Sequence, residues 1–151
     1  MKVNSYLFDD LSVELLYEIL KHRSEIFFLE QQCTCEDLDD KDKYARHLIL
    51  SIEGELVAYA RIFLPGQVYK EASIGRVLVP KHFRGKGYGA RITEEAIKLI
   101  ETLEPDSAIR LSAQAHVEAL YANFGFKAEG HYYDECGIQH INMTRGSTHD
   151  R

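Results

Sequence analysis

Arg84-Gly85-Lys86-Gly87-Tyr88-Gly89 sets three glycines and two cations into six residues. An apolar, strand-like run, Val77-Leu78-Val79, leads into it, and helical periodicity follows. A strand–turn–helix junction of this kind exposes backbone N–H groups at the positive end of a helix. Glycines remove the Cβ atoms that would keep a ligand off the backbone. The chemistry this suits is binding of an anion such as a phosphate or pyrophosphate, and Lys81, His82, Arg84, Lys86 and Arg91 crowd the same place. The string is not a P-loop, which needs G-x-x-x-x-G-K-[ST]. Nor is it the dinucleotide G-x-G-x-x-G, because the third glycine follows after one residue. This argues against a nucleotide-binding regulator.

A second charged cluster has the opposite sign. Glu36, Asp37, Asp39, Asp40 and Asp42 read either as a site for a cationic ligand or as a solvated loop. Beside it stands Cys33-Thr34-Cys35, with Cys136 far downstream. No second Cys/His pair lies at zinc spacing, so no metal is expected. An odd number of cysteines fits reduced thiols and a cytoplasmic location. The net charge of −6 argues against a general nucleic-acid binder. No apolar run is long enough for a membrane span.

The elements that must position these residues follow from periodicity. At 151 residues the chain is one domain by size, with 146–151 expected as a frayed tail. Leu15, Leu16, Ile19, Leu20, Arg23, Ile26 and Phe27 form a helical stripe from about Ser12 to Leu29. Glu30 to Tyr44 reads as a polar loop. Arg46 to Ile52 and Glu55 to Phe63 read as a hairpin turning at Glu53-Gly54, and Ala72 to Val79 as a central strand. A helix from Gly87 to Leu103 stops before Pro105; Ile109 to Ala115 alternates as a strand. Val117 to Asn123 is a short helix closed by Gly125. Phe126 to Glu129 and His140 to Arg145 make a final strand pair, joined through Tyr132 to Gly137. The order implies an α/β sandwich on a mixed sheet.

Arg84 to Gly89 resembles the [Q/R]-x-x-G-x-[G/A] signature of the GCN5-related N-acetyltransferases (the GNAT superfamily). The segment Ala119-Leu120-Tyr121-Ala122-Asn123-Phe124-Gly125-Phe126 resembles the family's second motif in its Tyr-x-x-x-Gly-Phe part. Arg23 to Gln31, the acidic loop after Cys33, Ile74-Gly75-Arg76-Val77, Ala113-Gln114-Ala115-His116 and Gly137 to Ile141 are similar to the ElaA-type branch. The resemblance implies the GNAT (acyl-CoA N-acyltransferase) fold, a mixed and mostly antiparallel sheet flanked by helices. It implies acetyl-CoA as co-substrate, held at Arg84, Gly85, Lys86, Gly87, Tyr88 and Gly89. It also implies direct transfer to a primary amine on a small molecule or peptide. A bulge near the end of the central strand would free the amide of Val79, or of Leu78, for the thioester carbonyl, and Pro80 fits such an interruption. Tyr121 would contact the CoA sulfur and protonate the departing thiolate. Gln114 stands where many relatives have Asn. For the base that takes the ammonium proton, Glu30, His47 and His116 are the candidates, Glu30 first. Each also has a structural reading: Glu30 paired with Arg23 or Arg46, or a histidine satisfied by backbone. Dimers are common among such proteins, and a non-catalytic CoA-binding or interaction module is the alternative.

Overall fold

The computed structural model describes residues 1–150. Seven strands form one sheet in the order β1-β2-β3-β4-β5-β7-β6. They are β1 (Lys2–Leu7), β2 (Arg46–Ile52), β3 (Glu55–Phe63), β4 (Ala72–Leu78), β5 (Ile109–Gln114), β6 (Lys127–Glu135) and β7 (Ile138–Arg145). Neighbours are antiparallel except β4 and β5.

Alternation assigns the two faces. Leu48 and Leu50 of β2 enter the main core, with Ile92, Ala96 and Ile100 of helix α2 (Tyr88–Leu103); Ile49 points to the other face. There it meets Ile19 of helix α1 (Val13–Arg23) and Ile26 beyond it. Covered on both sides, β3 is buried from Leu56 to Phe63, which is why it reads as a continuous apolar run. The Glu53-Gly54 turn carries positive φ at both residues, as a two-residue hairpin turn requires.

Four expectations are corrected. Strand β1 has no counterpart in the periodicity, because Lys2-Val3-Asn4-Ser5-Tyr6-Leu7 is an edge strand with half-buried positions only at Val3 and Tyr6. The first helix is α-helical only to Arg23; Ser24–Glu30 continues as a π-helix, while Ser12 caps the start by accepting from the Leu15 N–H at 3.0 Å. Strands β6 and β7 run longer than read, up to a tight turn at Cys136 (φ 57°) and Gly137 (φ 84°). Residues 146–150 are not a frayed end: Ser147 is buried, and Thr148 Oγ1 donates to the Pro105 carbonyl at 2.8 Å. Arg151 lies outside the described residues.

The parallel junction is the feature that positions the site. Strands β4 and β5 pair only at Ala72↔Ile109 and Ser73↔Arg110, near their N-termini. From there to Leu78 and Gln114 they run unpaired, opening a wedge toward their C-terminal ends. Parallel strands in α/β sheets characteristically bind ligands outside such ends.

Candidate functional site

The turn that leaves β4 supplies one wall of the wedge. Gly85 and Gly87 have φ of 78° and 83°, and no atom lies within 4 Å of a Cβ added at either. Glycine is therefore demanded here by backbone conformation, not by neighbouring protein. Gly87 precedes α2, and the first intrahelical bond is Arg91 N–H to the Gly87 carbonyl at 3.0 Å. The amides of Tyr88, Gly89 and Ala90 thus open onto the turn, as at any helix start. No acidic residue sits in that first helical turn to compete for an anion. Lys81, Lys86 and Arg91 are exposed around it, Arg91 bonded to Glu95 at 3.0 Å.

Strand β4 carries an interruption. Tyr59 pairs with Leu78 and Arg61 with Gly75, so two steps on β3 match three on β4. The extra residue lies between Gly75 and Leu78, where Arg76 has φ of 50°. The bulge sits earlier than the strand end at which Val79 and Pro80 suggested it. Val79 follows the final pair; its carbonyl accepts from Arg84 Nε at 3.0 Å, and its side chain would touch a Cβ placed on Gly89.

Tyr121, in helix α3 (Glu118–Ala122), lies in the core beside Phe126, their rings edge-to-face at 6.0 Å. Burial pushes its phenol up to about 12, so it stays protonated at neutral pH. His116, on the turn between β5 and α3, is exposed.

Two consecutive residues span the open end of the wedge. Glu30 makes a two-pronged pair with the Arg84 guanidinium on the β4 side, the Oε2 contact being 2.9 Å. Gln31 exchanges amide hydrogen bonds with Gln114 on the β5 side, 2.9 Å in one direction and 3.4 Å in the other. Gln114 therefore joins the wedge to the helix end, a link the sequence did not foretell. A cleft of 410 Å³ opens beside this strap, lined by Glu25, Ile26, Leu29, Glu30, Pro80 and Lys81. The hydrogen bonds from Arg84 hold the Glu30 carboxyl below the usual range, which weakens it as a base. Its partner is Arg84, not Arg23 or Arg46.

The other two charged expectations are overturned. His47 is fully buried; Nδ1 contacts the Tyr59 hydroxyl at 2.8 Å and Nε2 the Asp42 carbonyl at 2.9 Å. With both ring nitrogens engaged, it is a structural histidine, kept neutral mainly by burial. Glu36 and Asp40 are exposed, but Asp37, Asp39 and Asp42 form neither a cation site nor a solvated face. Asp37 takes Arg23 Nε at 2.9 Å and Arg76 Nε at 2.7 Å. Asp42 takes Arg23 at 2.6 Å and Arg61 at 3.0 Å, and Asp39 binds Arg61 through both oxygens at 2.8 Å. Three arginines neutralise three aspartates. The signal was available: Arg23 sits in an apolar helical stripe and Arg61 in an apolar strand, where an unpaired charge could not be tolerated.

The loop is also tied to the opposite side of the wedge. Cys35 and Cys136 form a disulfide, and Thr34 N–H donates to the Cys136 carbonyl at 3.0 Å. This corrects the expectation of three reduced thiols and removes the cysteine count as an argument about compartment; only Cys33 is free. Since β7 runs antiparallel to β5, its first residues lie at β5's C-terminal end, so the Cys136-Gly137 turn faces the same opening. Among the described residues, no cluster of three or more His, Cys, Asp or Glu could hold a metal ion.

Known proteins share this arrangement. The family model described as an acetyltransferase (GNAT) domain matches residues 16–146. A UPF0039 protein of Synechocystis is 42% identical over 137 residues, 90% of this chain and 89% of its own length. Protein ElaA of Escherichia coli is 37% identical over 138 residues, 90% of each. The crystal structure of ElaA superimposes with a TM-score of 0.88 at 34% identity, covering 95% of this chain and 98% of its own. That of an acyl-CoA N-acyltransferase from Pseudomonas aeruginosa gives 0.89 at 35%, covering 96% and 99%. The chain belongs to the GNAT acetyltransferase family, whose members transfer acyl groups from acyl-CoA, and it stands on the ElaA side of that family.

Proposed function

We propose that this protein is an acetyl-CoA-dependent N-acetyltransferase acting directly on a primary amine. The observation that carries the reading is the wedge between β4 and β5 with the open amides of the glycine turn at its wide end. The pyrophosphate of CoA lies on the open amides of Tyr88 to Ala90, assisted by Lys86. The pantetheine arm enters the wedge, bringing the thioester to the end of β4. There the Val79 or Leu78 amide polarises its carbonyl and stabilises the tetrahedral oxyanion.

Attack by the amine nitrogen forms the C–N bond, and collapse breaks the C–S bond. The thiolate leaves toward Tyr121. A phenol near 12 is a weaker acid than a thiol near ~8.5. Tyr121 therefore acts first as a hydrogen-bond donor to the sulfur, with proton return completed through solvent. An ammonium acceptor, with pKa of ~10.4, must also lose a proton. His116, exposed beside β5, takes it; Glu30 serves as a counter-charge rather than as the base.

The test is thiol release from acetyl-CoA over a panel of primary amines. Tyr121→Phe should lower kcat at least about 100-fold with little change in KM for acetyl-CoA. Gly87→Val, strained at φ 83°, should raise that KM. Full turnover in both variants sinks the assignment. Tight CoA binding with no turnover on any amine would favour the non-catalytic module.

A further inference from the structure

Resting on that reading, we infer that CoA and Glu30 compete for Arg84, so that donor binding releases the Glu30 carboxylate to receive the ammonium of the acceptor. Arg84 opens the turn proposed to hold the pyrophosphate, yet both its Nη1 and Nη2 are turned to Glu30, and Nε is spent on the Val79 carbonyl. The cation best placed beside Gly85 is thus neutralised within the protein. A diphosphate arriving at this turn presents several oxygens in the bidentate geometry a guanidinium prefers.

The pair is free to exchange. Arg84 and Glu30 side chains are 39% and 43% exposed, so parting them strands no buried charge. The Val79 contact holds the guanidinium stem at the site while its far end changes partner. Glu30 then faces the 410 Å³ cleft it already lines, together with Glu25 and the apolar Ile26 and Leu29. Glu30 on this apolar wall, with Glu25 (its Oε2 3.8 Å from His22 Nδ1) beside it, suits an amine carried on an apolar stem. Lys81, also in the lining, is the only cation there, so loss of Arg84 leaves the cleft net negative. The acceptor's charge site is therefore completed only after the donor is in place.

Calorimetric titration with CoA, and with pantetheine as a probe lacking the diphosphate, tests this on wild type, Glu30→Gln, Arg84→Gln and the double variant. Glu30→Gln should bind CoA about two- to fivefold more tightly than wild type, the range an exposed pair can supply. Pantetheine should show no such gain, and the gain should vanish in the Arg84→Gln background. Equal or weaker CoA binding by Glu30→Gln overturns the competition while leaving the CoA reading intact. A gain that persists with pantetheine, or without Arg84, does the same. Wild-type protein that binds no CoA overturns both.

Discussion

Two sets of arginine–carboxylate contacts lie close together in this protein and follow different physics. Around Asp37, Asp39 and Asp42 the charges are withdrawn from water: Arg23, Arg61 and Asp42 are buried, Asp37, Asp39 and Arg76 partly so, and each aspartate meets two arginines or a fork. At Glu30 and Arg84 both partners are half in water. The first set cannot let go of a member without stranding another in low dielectric. The second can part at small cost. Stability thus resides where the charges are hidden, and exchange with a ligand where they are not.

The sharpest way to break this contrast is Asp42→Ala. It leaves Arg23 and Arg61 short of a buried counter-charge and should cost about 3–5 kcal/mol, read as a fall in denaturation midpoint. A loss below about 1 kcal/mol would place the network with the surface pairs. Next is Cys136→Ser, which frees the same loop from the β6–β7 turn without touching its charges. By loop-closure arguments it should cost about 2–4 kcal/mol; no loss would mean that the network alone fixes the loop.

Acid should load the buried set most heavily. Burial alone would raise Asp39, but Arg61 outweighs it and holds the carboxyl at about 2; Asp42 is likewise lowered. Both are below the unfolded value of ~3.9, so the unfolded chain binds more protons and stability falls as pH drops below about 5. His47, lowered mainly by burial, adds an earlier loss below its unfolded value of ~6.5. Thermal scans from pH 8 to 3 should show both phases, and His47→Gln should remove the upper one. The smallest effect belongs to Glu30→Gln, whose stability change should stay within about 0.5 kcal/mol even as CoA affinity moves. A larger loss would make the pair structural after all.

Much of the fold was legible because its elements obey period. The α2 stripe, the Glu53-Gly54 hairpin and the buried run of β3 needed no tertiary knowledge. Strand β1 was silent since an edge strand has little apolar content to show. The π-helical turn at Ser24–Glu30 was silent too, because seven residues are too few for a change of helical period to show in an apolar stripe. At the site, the glycine turn was legible from φ requirements and charge. The partners of Glu30, Gln31 and the aspartates were not. They lie 54 and 83 residues away for Glu30 and Gln31. Pairings at that range are set by how the loop folds over the wedge, which local pattern does not encode. Arg23 and Arg61 advertised a buried need for carboxylates without saying which.

The wedge has a mechanical meaning as well. Across its middle the seven-stranded sheet is joined by two residue pairs, so four strands and three strands meet as leaves on a short hinge. Alternate backbone amides and carbonyls along the inner margins of both leaves are left without a neighbouring strand. An extended arm laid between them would be read by the protein as a missing strand, and would stitch the leaves into one continuous fabric. The donor would then be part of the architecture for as long as it stayed, and the enzyme would be stiffest while it was loaded.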